Sequence, residues 1–363
     1  VGFALFAILF LLALWDYLRR PGLLRMLWCG LALGMALGAK FSAVVLLPVS
    51  LALMAAAAVW PVEPDAPIRP WRRLVRYGLA LAAMCVVAFG FLQYIYLFPK
   101  NPLQYLDGMR MVNADHNPSY QYYLAGRLGR RFYSYYLVAY LLKEPLASIL
   151  VAGAGLAVVA RSKNIPRLAR IFLLVPPAVL FAGYTIFSDN LGIRYILPIL
   201  PFAYLLGGAG LAALLQAASA WKRGVGAVLC LWLVVAAAGI HPDQLSYFNE
   251  AACLLDSPAK IGLDGGSRCG PSWLDDSNID WGQGLKQLKT WLDRNARGRP
   301  VYLAYFGSFP PEHYGIRRGP EDFADVLSGS KPGLYAVSAQ TVARAESLGG
   351  HWLRWARPTA VVG

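Results

Sequence analysis

The chain has 363 residues, of which 57% are apolar and 15% are charged, and its formal net charge is +14. Soluble domains usually carry about 25% charged residues, so this composition excludes an ordinary soluble protein. Residues 1–240 hold 21 Lys and Arg against 7 Asp and Glu, whereas residues 241–363 hold 13 of each kind. A basic excess confined to the hydrophobic part is typical of loops beside an anionic membrane surface, and it argues against nucleic-acid binding.

Apolar stretches long enough to cross a bilayer recur along the first 240 residues. A spanning helix needs about 20 apolar residues, and the candidates are 1–18, 23–39, 42–60, 74–98, 134–160, 170–188, 194–216 and 224–240. Val1 already lies in an apolar run and Gly363 ends another, so we expect a fragment that is open at both ends. The sequence predicts a polytopic α-helical membrane protein of about eight spans, with a transmembrane domain over 1–240 that is truncated at the N-terminus.

Basic residues mark one set of short loops between these spans. They are Arg19, Arg20, Arg25, Arg69, Arg72, Arg73, Arg76, Arg161, Lys163, Arg167, Arg170, Lys222 and Arg223. The positive-inside rule makes their side of the membrane cytoplasmic. The 99–133 loop and the tail after His241 then lie on the other side. This predicts a multi-pass protein of the bacterial inner membrane with an extracytoplasmic tail.

The tail, residues 241–363, has the pattern of a small α/β soluble domain. Leucines recur at helical spacing within 281–296. Two apolar runs bounded by turn residues, 300–307 and 333–338, are typical of buried strands. Alternating strands and helices predict an α/β fold for this extracytoplasmic domain.

Two cysteines of the tail form a candidate disulfide. Cys253 and Cys269 lie outside the apolar spans, which contain the other three cysteines. The topology places the tail in an oxidising compartment, where disulfides persist. We therefore expect a Cys253–Cys269 bond with Cα atoms about 4.4–6.8 Å apart; the alternative is two unpaired thiols.

Three basic residues, Lys40, Lys143 and Arg194, share the predicted external side of the membrane. Charges at membrane depth are costly and usually functional. Lys and Arg pair strongly with phosphate at low dielectric, so these residues are candidates for binding the phosphate of a lipid carrier. The alternatives are that Lys40 and Arg194 extend to lipid headgroups, and that Lys143 pairs with Glu144.

The 99–133 loop and the adjoining membrane edge are rich in aromatic and polar residues. Asp115 and His116 are weak candidates for a catalytic acid or base, with a solvated loop pair as the alternative. Tyr123, Tyr135 and Tyr136 are candidates for stacking on a sugar or an acceptor, although tyrosines are also usual at a membrane interface.

A run of carboxylates occupies residues 275–283. It has the composition of an N-terminal cap for the following helix, with Asp280 or Ser277 as the capping residue. Its oxygen ligands also leave a divalent metal ion open as a cofactor, although no metal site is assigned. The chain has no P-loop, dinucleotide fingerprint, HExxH or CxxC motif, which argues against an ATPase motor.

Five segments carry a resemblance to a known family. They are the glycine-rich run 30–42, the aromatic segment 131–145, the segment 194–201, and the tail pieces 241–250 and 276–283. In this order they resemble bacterial members of glycosyltransferase family 39. These are C-type membrane transferases related to the protein O-mannosyltransferases and to the aminoarabinose transferase of lipid A. The resemblance extends over nearly the whole chain.

The resemblance implies a hexosyl- or pentosyltransferase of the cell envelope, with protein glycosylation among its roles. It would move a sugar from a polyprenyl-phosphate donor to an unidentified acceptor on the external face, in contact with membrane lipid. Lys143 and Arg194 match candidate donor-phosphate contacts. The acidic catalytic residues of the family lie in the first external loop, upstream of Val1. Two alternatives remain: a transporter or flippase of a lipid-linked glycan, and a membrane anchor that presents the tail domain.

The predicted orientation can be tested by thiol labelling of intact spheroplasts. Cysteines introduced near Ser119 and Ser308 should react with an impermeant reagent, because both positions lie on the predicted external side. A cysteine near Ser162, in a basic loop, should react only after the membrane is opened. Labelling of the Ser162 position alone in intact spheroplasts would reverse the topology.

Overall fold

A computed structural model describes residues 2–61, 69–115, 117–254, 257–317, 319 and 323–362. Ten helices occupy the described part before residue 240: α1 (Gly2–Arg19), α2 (Leu23–Ala39), α3 (Leu46–Val59), α4 (Pro70–Ile95), α5 (Gln104–Ala114), α6 (Tyr135–Lys143), α7 (Leu146–Arg161), α8 (Arg167–Phe187), α9 (Leu200–Leu215) and α10 (Ala220–Gly239). The chain divides into two compact units. The first comprises Val1–Ser119, Leu150–Ser188 and Tyr195–Gly226, and the second comprises Tyr120–Ile149, Asp189–Arg194 and Ala227–Gly363.

Within the described ranges, six helical stretches are long and apolar enough to cross a membrane. The pair α6 and α7 passes the same test together but is bent by 109°, and α2 is apolar with only 17 residues. The chain is therefore a membrane-embedded helical protein, as its composition predicts. The count of about eight spans stays a prediction, because it depends on α2 and on the bent pair.

Glycines explain how α2 packs in the first unit. Gly30, Gly34 and Gly38 repeat every four residues and face α4, where a Cβ atom on Gly30 would lie 2.6 Å from the Cβ of Val87. Small residues at this spacing let helix backbones approach closely in a membrane. The glycine-rich run thus fixes α2 against α4, and α2 ends beside Lys40.

The 99–133 loop contains regular structure that its sequence does not predict. Helix α5 covers its first half, and strands β1 (Tyr122–Leu124) and β2 (Arg127–Gly129) form an antiparallel hairpin. Ala125 and Gly126 both have positive φ angles, of 49° and 78°. Two such residues form the tight turn that suits a two-residue hairpin.

The tail forms the strands and the helix that its sequence predicts. It contains α11 (Ala251–Leu254), α12 (Leu285–Asn295), β3 (Val301–Ala304), α13 (Phe323–Ser328), β4 (Leu334–Val337) and α14 (Ala339–Ala343). Strands β3 and β4 pair in parallel, with Val301 opposite Leu334. A core cluster of Leu285, Leu292, Ala296, Val301 and Ile316 joins α12 to β3.

One detail of the tail prediction is wrong. The predicted cap of its main helix was Asp280 or Ser277, but α12 begins after Gly284 without a side-chain cap. The second unit also contains residues 120–149 and 189–194 together with the tail. The domain boundary at residues 240 and 241 therefore stays a prediction.

The contact between α7 and α9 allows a test of the helix packing in the first unit. A Cβ atom on Gly155 would lie 1.7 Å from the carbonyl oxygen of Leu206, whereas one on Gly153 would meet no atom within 4 Å. Gly155→Ala should lower the unfolding midpoint in detergent, because overpacking costs about 1–3 kcal/mol. Gly153→Ala, two residues away on the same helix, is the matched control. Equal midpoints for the two variants would contradict the contact.

Candidate functional site

A sharp bend separates α6 from α7, and one tail residue covers it. The end of α6 leaves backbone carbonyls without helical partners. The side-chain amide of Asn249 donates hydrogen bonds to the carbonyls of Leu141 and Glu144, both at 2.6 Å. The backbone N–H of Asn249 donates to the carbonyl of Leu142 at 2.8 Å. Asn249 is fully buried, so these bonds replace water at the bend.

Lys143, the last residue of α6, also binds the tail. Its ammonium donates hydrogen bonds to the carbonyls of Leu245, at 2.6 Å, and of Asn278. The nitrogen lies 4.4 Å from the centre of the Phe248 ring, and the residue is only 9% exposed. Two of its three N–H groups are thus engaged by protein carbonyls. This arrangement favours a positioning role for Lys143, in addition to its predicted role as a phosphate contact.

Asn278 connects α6 to the short loop before Arg194. Its side-chain amide donates to the hydroxyl of Tyr135 at 2.9 Å, and its side-chain oxygen accepts from the backbone N–H of Ile193 at 3.0 Å. Gly192 has a φ of 111°, and a Cβ atom there would lie 2.4 Å from the Oγ of Ser277. Glycine is therefore required where the loop meets the tail.

Arg194 follows this loop and faces an aromatic ring. Its guanidinium lies 5.3 Å from the centre of the Trp281 ring, a distance typical of a cation–π contact. Arg194 and Lys143 therefore both contact the 276–283 segment, although through different groups. Their predicted role as donor-phosphate contacts stays a prediction.

The three tyrosines predicted to contact a sugar are buried in the second unit. Tyr135 and Tyr136 are fully covered and meet edge to face, with ring centres 5.4 Å apart. The Tyr136 hydroxyl donates to the carbonyl of Asp189, and the Tyr123 hydroxyl donates to the carbonyl of Pro271 at 2.9 Å. These hydroxyls hold neighbouring loops together. None of the three rings offers an exposed face on which a sugar could stack. Their role in sugar or acceptor binding stays a prediction.

The predicted acid–base pair of the 99–133 loop lies apart from these residues along the chain. Asp115 is exposed at the end of α5 and belongs to the first unit. His116 lies outside the described residues. A catalytic role for Asp115 or His116 therefore stays a prediction.

Lys40 lies in an aromatic and hydroxyl-rich environment within the first unit. It follows α2 in an extended conformation, directly before a short 3₁₀ turn. Its ammonium nitrogen lies 4.3 Å from the centre of the Tyr195 ring and 5.6 Å from that of Tyr184. The Tyr184 hydroxyl and the Ser42 hydroxyl form a hydrogen bond of 3.3 Å. The ammonium thus lies beside two ring faces that favour a cation.

The carboxylates of residues 275–283 contact separate protein groups and do not converge on one metal site. Asp275 forms an ion pair with Arg344 at 2.5 Å. Burial raises the pKa of Asp275 to about 6, although the guanidinium of Arg344 lowers that pKa. Asp280 accepts a hydrogen bond from the N–H of Gly282, and burial raises the pKa of this carboxyl as well. Across the described ranges, no group of three or more His, Cys, Asp or Glu side chains is placed to hold a metal ion.

The expected disulfide is present between Cys253 and Cys269, with Cα atoms 5.3 Å apart. The closed loop contacts Phe248 through the N–H of Gly266, which donates to the Phe248 carbonyl at 2.8 Å. Gly270, directly after the loop, lies against the Phe248 ring, since a Cβ atom there would be 2.5 Å from it. Phe248 is the ring that faces the ammonium of Lys143. The disulfide loop therefore supports one side of the Lys143 environment.

Sequence reasoning missed the residues that organise this part of the molecule. Asn249 and Asn278 lie in the segments 241–250 and 276–283 that carry the family resemblance, but the sequence does not indicate a role for them. The Asp275–Arg344 pair joins residues 69 positions apart, and no local pattern marks such a pair. No local pattern marks either asparagine, because both stand among other polar residues in their segments.

Comparison of this chain with the models of known protein families, with curated proteins and with solved structures finds no match. The class that the structure defines is therefore a helical membrane-embedded protein with several candidate spans. Any finer statement about activity depends on the chemistry of the sites described above.

Proposed function

We propose that the chain is a membrane glycosyltransferase that uses a sugar linked to polyprenyl phosphate. The acceptor would lie on the external face of the bacterial inner membrane, together with the tail. The resemblance of five ordered segments to glycosyltransferase family 39 supports this proposal. Three of those segments, 131–145, 241–250 and 276–283, also contact one another through Asn249, Lys143 and Asn278.

The environment of Lys40 is the observation that carries the proposal. Breaking the bond between a sugar and a lipid phosphate leaves negative charge on the departing phosphate, and the acceptor hydroxyl loses its proton to a base. A fixed cation near that phosphate stabilises the developing charge, most of all at low dielectric. The ammonium of Lys40 is such a cation. The hydroxyls of Ser42 and Tyr184 are close by and bond to each other, so one of the two O–H groups is already used as a donor.

Lys143 and Arg194 enter the proposal in different roles. Lys143 is a positioning residue, because its ammonium binds the carbonyls of Leu245 and Asn278. Arg194 keeps its guanidinium over Trp281 and remains a candidate contact for a phosphate or a sugar. We therefore expect substitution of Lys143 to lower the stability of the fold more than it lowers the affinity for the donor.

A second candidate is a transporter or flippase of a lipid-linked glycan. The bend of 109° between α6 and α7 is the observation that favours it. Discontinuous helices form the substrate sites of many transporters. A transporter would move the lipid-linked sugar across the membrane without breaking its glycosidic bond.

Donor binding by Lys40 variants tests the proposal. In nanodiscs, Lys40→Gln should weaken binding of polyprenyl phosphate about tenfold to a hundredfold, because a hydrogen bond to a charged group contributes about 1.5–3 kcal/mol. Lys40→Arg should retain most of the affinity, since the charge remains. Lys100→Gln, at an exposed lysine of the same unit, is the matched control.

The same variants separate the two candidate functions. A transferase should release the labelled sugar from the lipid in membranes that contain the protein, and Lys40→Gln should reduce that release. Lys40→Gln binding as tightly as the unaltered protein would contradict the role of Lys40. Movement of intact lipid-linked sugar without release would favour the transporter.

A further inference from the structure

The carboxyl ends of the two parallel strands open onto a crevice in the tail. Tyr305, Phe306, Gly307 and Ser308 follow β3, and Gln340 and Thr341 come shortly after β4. In open α/β sheets, ligands bind in the crevice beyond the carboxyl ends of parallel strands. Two cavities of about 240 and 330 Å³ occur there, and Tyr305 and Phe306 line both. We refer to these two adjoining cavities as the tail crevice.

One side of the tail crevice presents an exposed aromatic ring. Trp281 is 46% exposed and meets Phe306 edge to face, with ring centres 5.4 Å apart. Arg194 lies over the Trp281 ring with its guanidinium 5.3 Å from the ring centre. The indole is therefore held by two neighbours while part of its surface stays open to the crevice.

Two glycines make room for the Tyr305 hydroxyl at the crevice. A Cβ atom on Gly282 would be 2.1 Å from that hydroxyl oxygen, and one on Gly307 would be 2.2 Å from it. Gly282 also has a φ of 83°, which side chains rarely adopt. A side chain at either glycine would therefore clash with Tyr305, which lines both cavities.

The other side of the tail crevice is mixed in character. Tyr120 and Phe323 supply aromatic surface there, whereas Gln340, Thr341 and Arg344 supply polar groups. Arg344 is fixed by its ion pair with Asp275 and by a 3.0 Å hydrogen bond to the carbonyl of Gln121. Because these polar groups are anchored, they keep their positions whether or not a ligand is bound.

This lining selects among ligand chemistries. Three of the five N–H groups of Arg344 bond to Asp275, Tyr120 and Gln121, and a purely apolar ligand would offer no acceptor to the others. A simple anion would find the charge of Arg344 already balanced by Asp275. A sugar ring suits both sides, since its C–H face packs on aromatic rings and its hydroxyls accept hydrogen bonds from the guanidinium of Arg344. The crevice is also close to the lower size limit of small-molecule sites, about 300 Å³.

We propose that the tail crevice binds a saccharide unit, stacked on Trp281 and Phe306 and oriented by the polar groups around Arg344. This inference goes beyond the transferase proposal and does not depend on it, because binding is measured with no donor lipid present. A failed transfer assay would leave the crevice proposal intact. Failure of saccharide binding would leave the Lys40 test intact.

Binding of free sugars to the whole chain in nanodiscs tests the proposal. The probes are glucose, galactose, mannose and N-acetylglucosamine with their disaccharides, and inorganic phosphate is the anion control. At least one saccharide should bind saturably by calorimetry. Trp281→Ala should weaken that binding about tenfold, the value of one good aromatic contact. Trp355→Ala, at a 79% exposed tryptophan that does not line either cavity, should leave it unchanged.

Two further variants guard against a change in folding. Trp281→Phe keeps an aromatic surface and should retain most of the affinity, whereas Phe306→Ala removes the second ring and should weaken it. An unchanged thermal midpoint establishes that each variant is folded. The proposal is overturned if no saccharide of the panel binds, or if Trp281→Ala and Phe306→Ala both bind as the unaltered protein does. Displacement of the saccharide by phosphate would also overturn it, because the crevice would then be an anion site.

Discussion

The hydrogen bonds from Asn249 to the end of α6 are the contacts on which the second unit depends. A helix that ends in a buried place leaves several carbonyls that must find partners. Asn249 supplies donors to three of them, and Lys143 supplies donors to two carbonyls of the tail in return. We refer to Asn249, Lys143 and Asn278 as the polar clamp. Without it, the bend between α6 and α7 would hold unpaired polar groups, each costing about 1–3 kcal/mol.

The polar clamp also determines what lies around it. Asn278 holds the backbone of Ile193, and Arg194 is the next residue. Arg194 in turn contacts Trp281 at one side of the tail crevice. The disulfide loop bonds to the backbone of Phe248, whose ring lies beside the Lys143 ammonium. The unpaired carbonyls at the end of α6 are thus connected, through a series of contacts, to the surface that we propose for saccharide binding.

Much of the fold follows from short-range patterns, and these predictions are confirmed. The apolar stretches predict a helical membrane protein, and the runs near residues 301–304 and 334–337 predict the two strands. The Cys253–Cys269 bond is predicted from the position of the two cysteines outside the apolar spans. The helix cap at Asp280 or Ser277 is wrong, because both residues lie in the segment that contacts the 189–194 loop and α14. Ser277 donates to the carbonyl of Leu191 instead.

The candidate site was less predictable, because its contacts join distant parts of the chain. The sequence shows Lys143 only as a charged residue near a membrane edge. It does not indicate that the partners of Lys143 are carbonyls more than 100 residues away. Tyr135, Tyr136 and Tyr123 read as stacking surfaces, but their burial depends on loops that sequence periodicity does not describe. Lys40 is identifiable in the sequence because a charge at membrane depth is costly and usually functional. Its tyrosine neighbours, Tyr184 and Tyr195, come from remote segments.

The most direct test of the polar clamp is the thermal unfolding of the purified chain with Asn249 replaced by Ala. Loss of its donors to buried carbonyls should lower the free energy of unfolding by about 3 kcal/mol or more. Asn295→Ala removes an asparagine that donates one exposed hydrogen bond to the carbonyl of Trp291, and it should cost less than about 0.5 kcal/mol. A clear separation of the two unfolding midpoints is the result that the account predicts. Midpoints that fall equally, or an unchanged midpoint for Asn249→Ala, would contradict it.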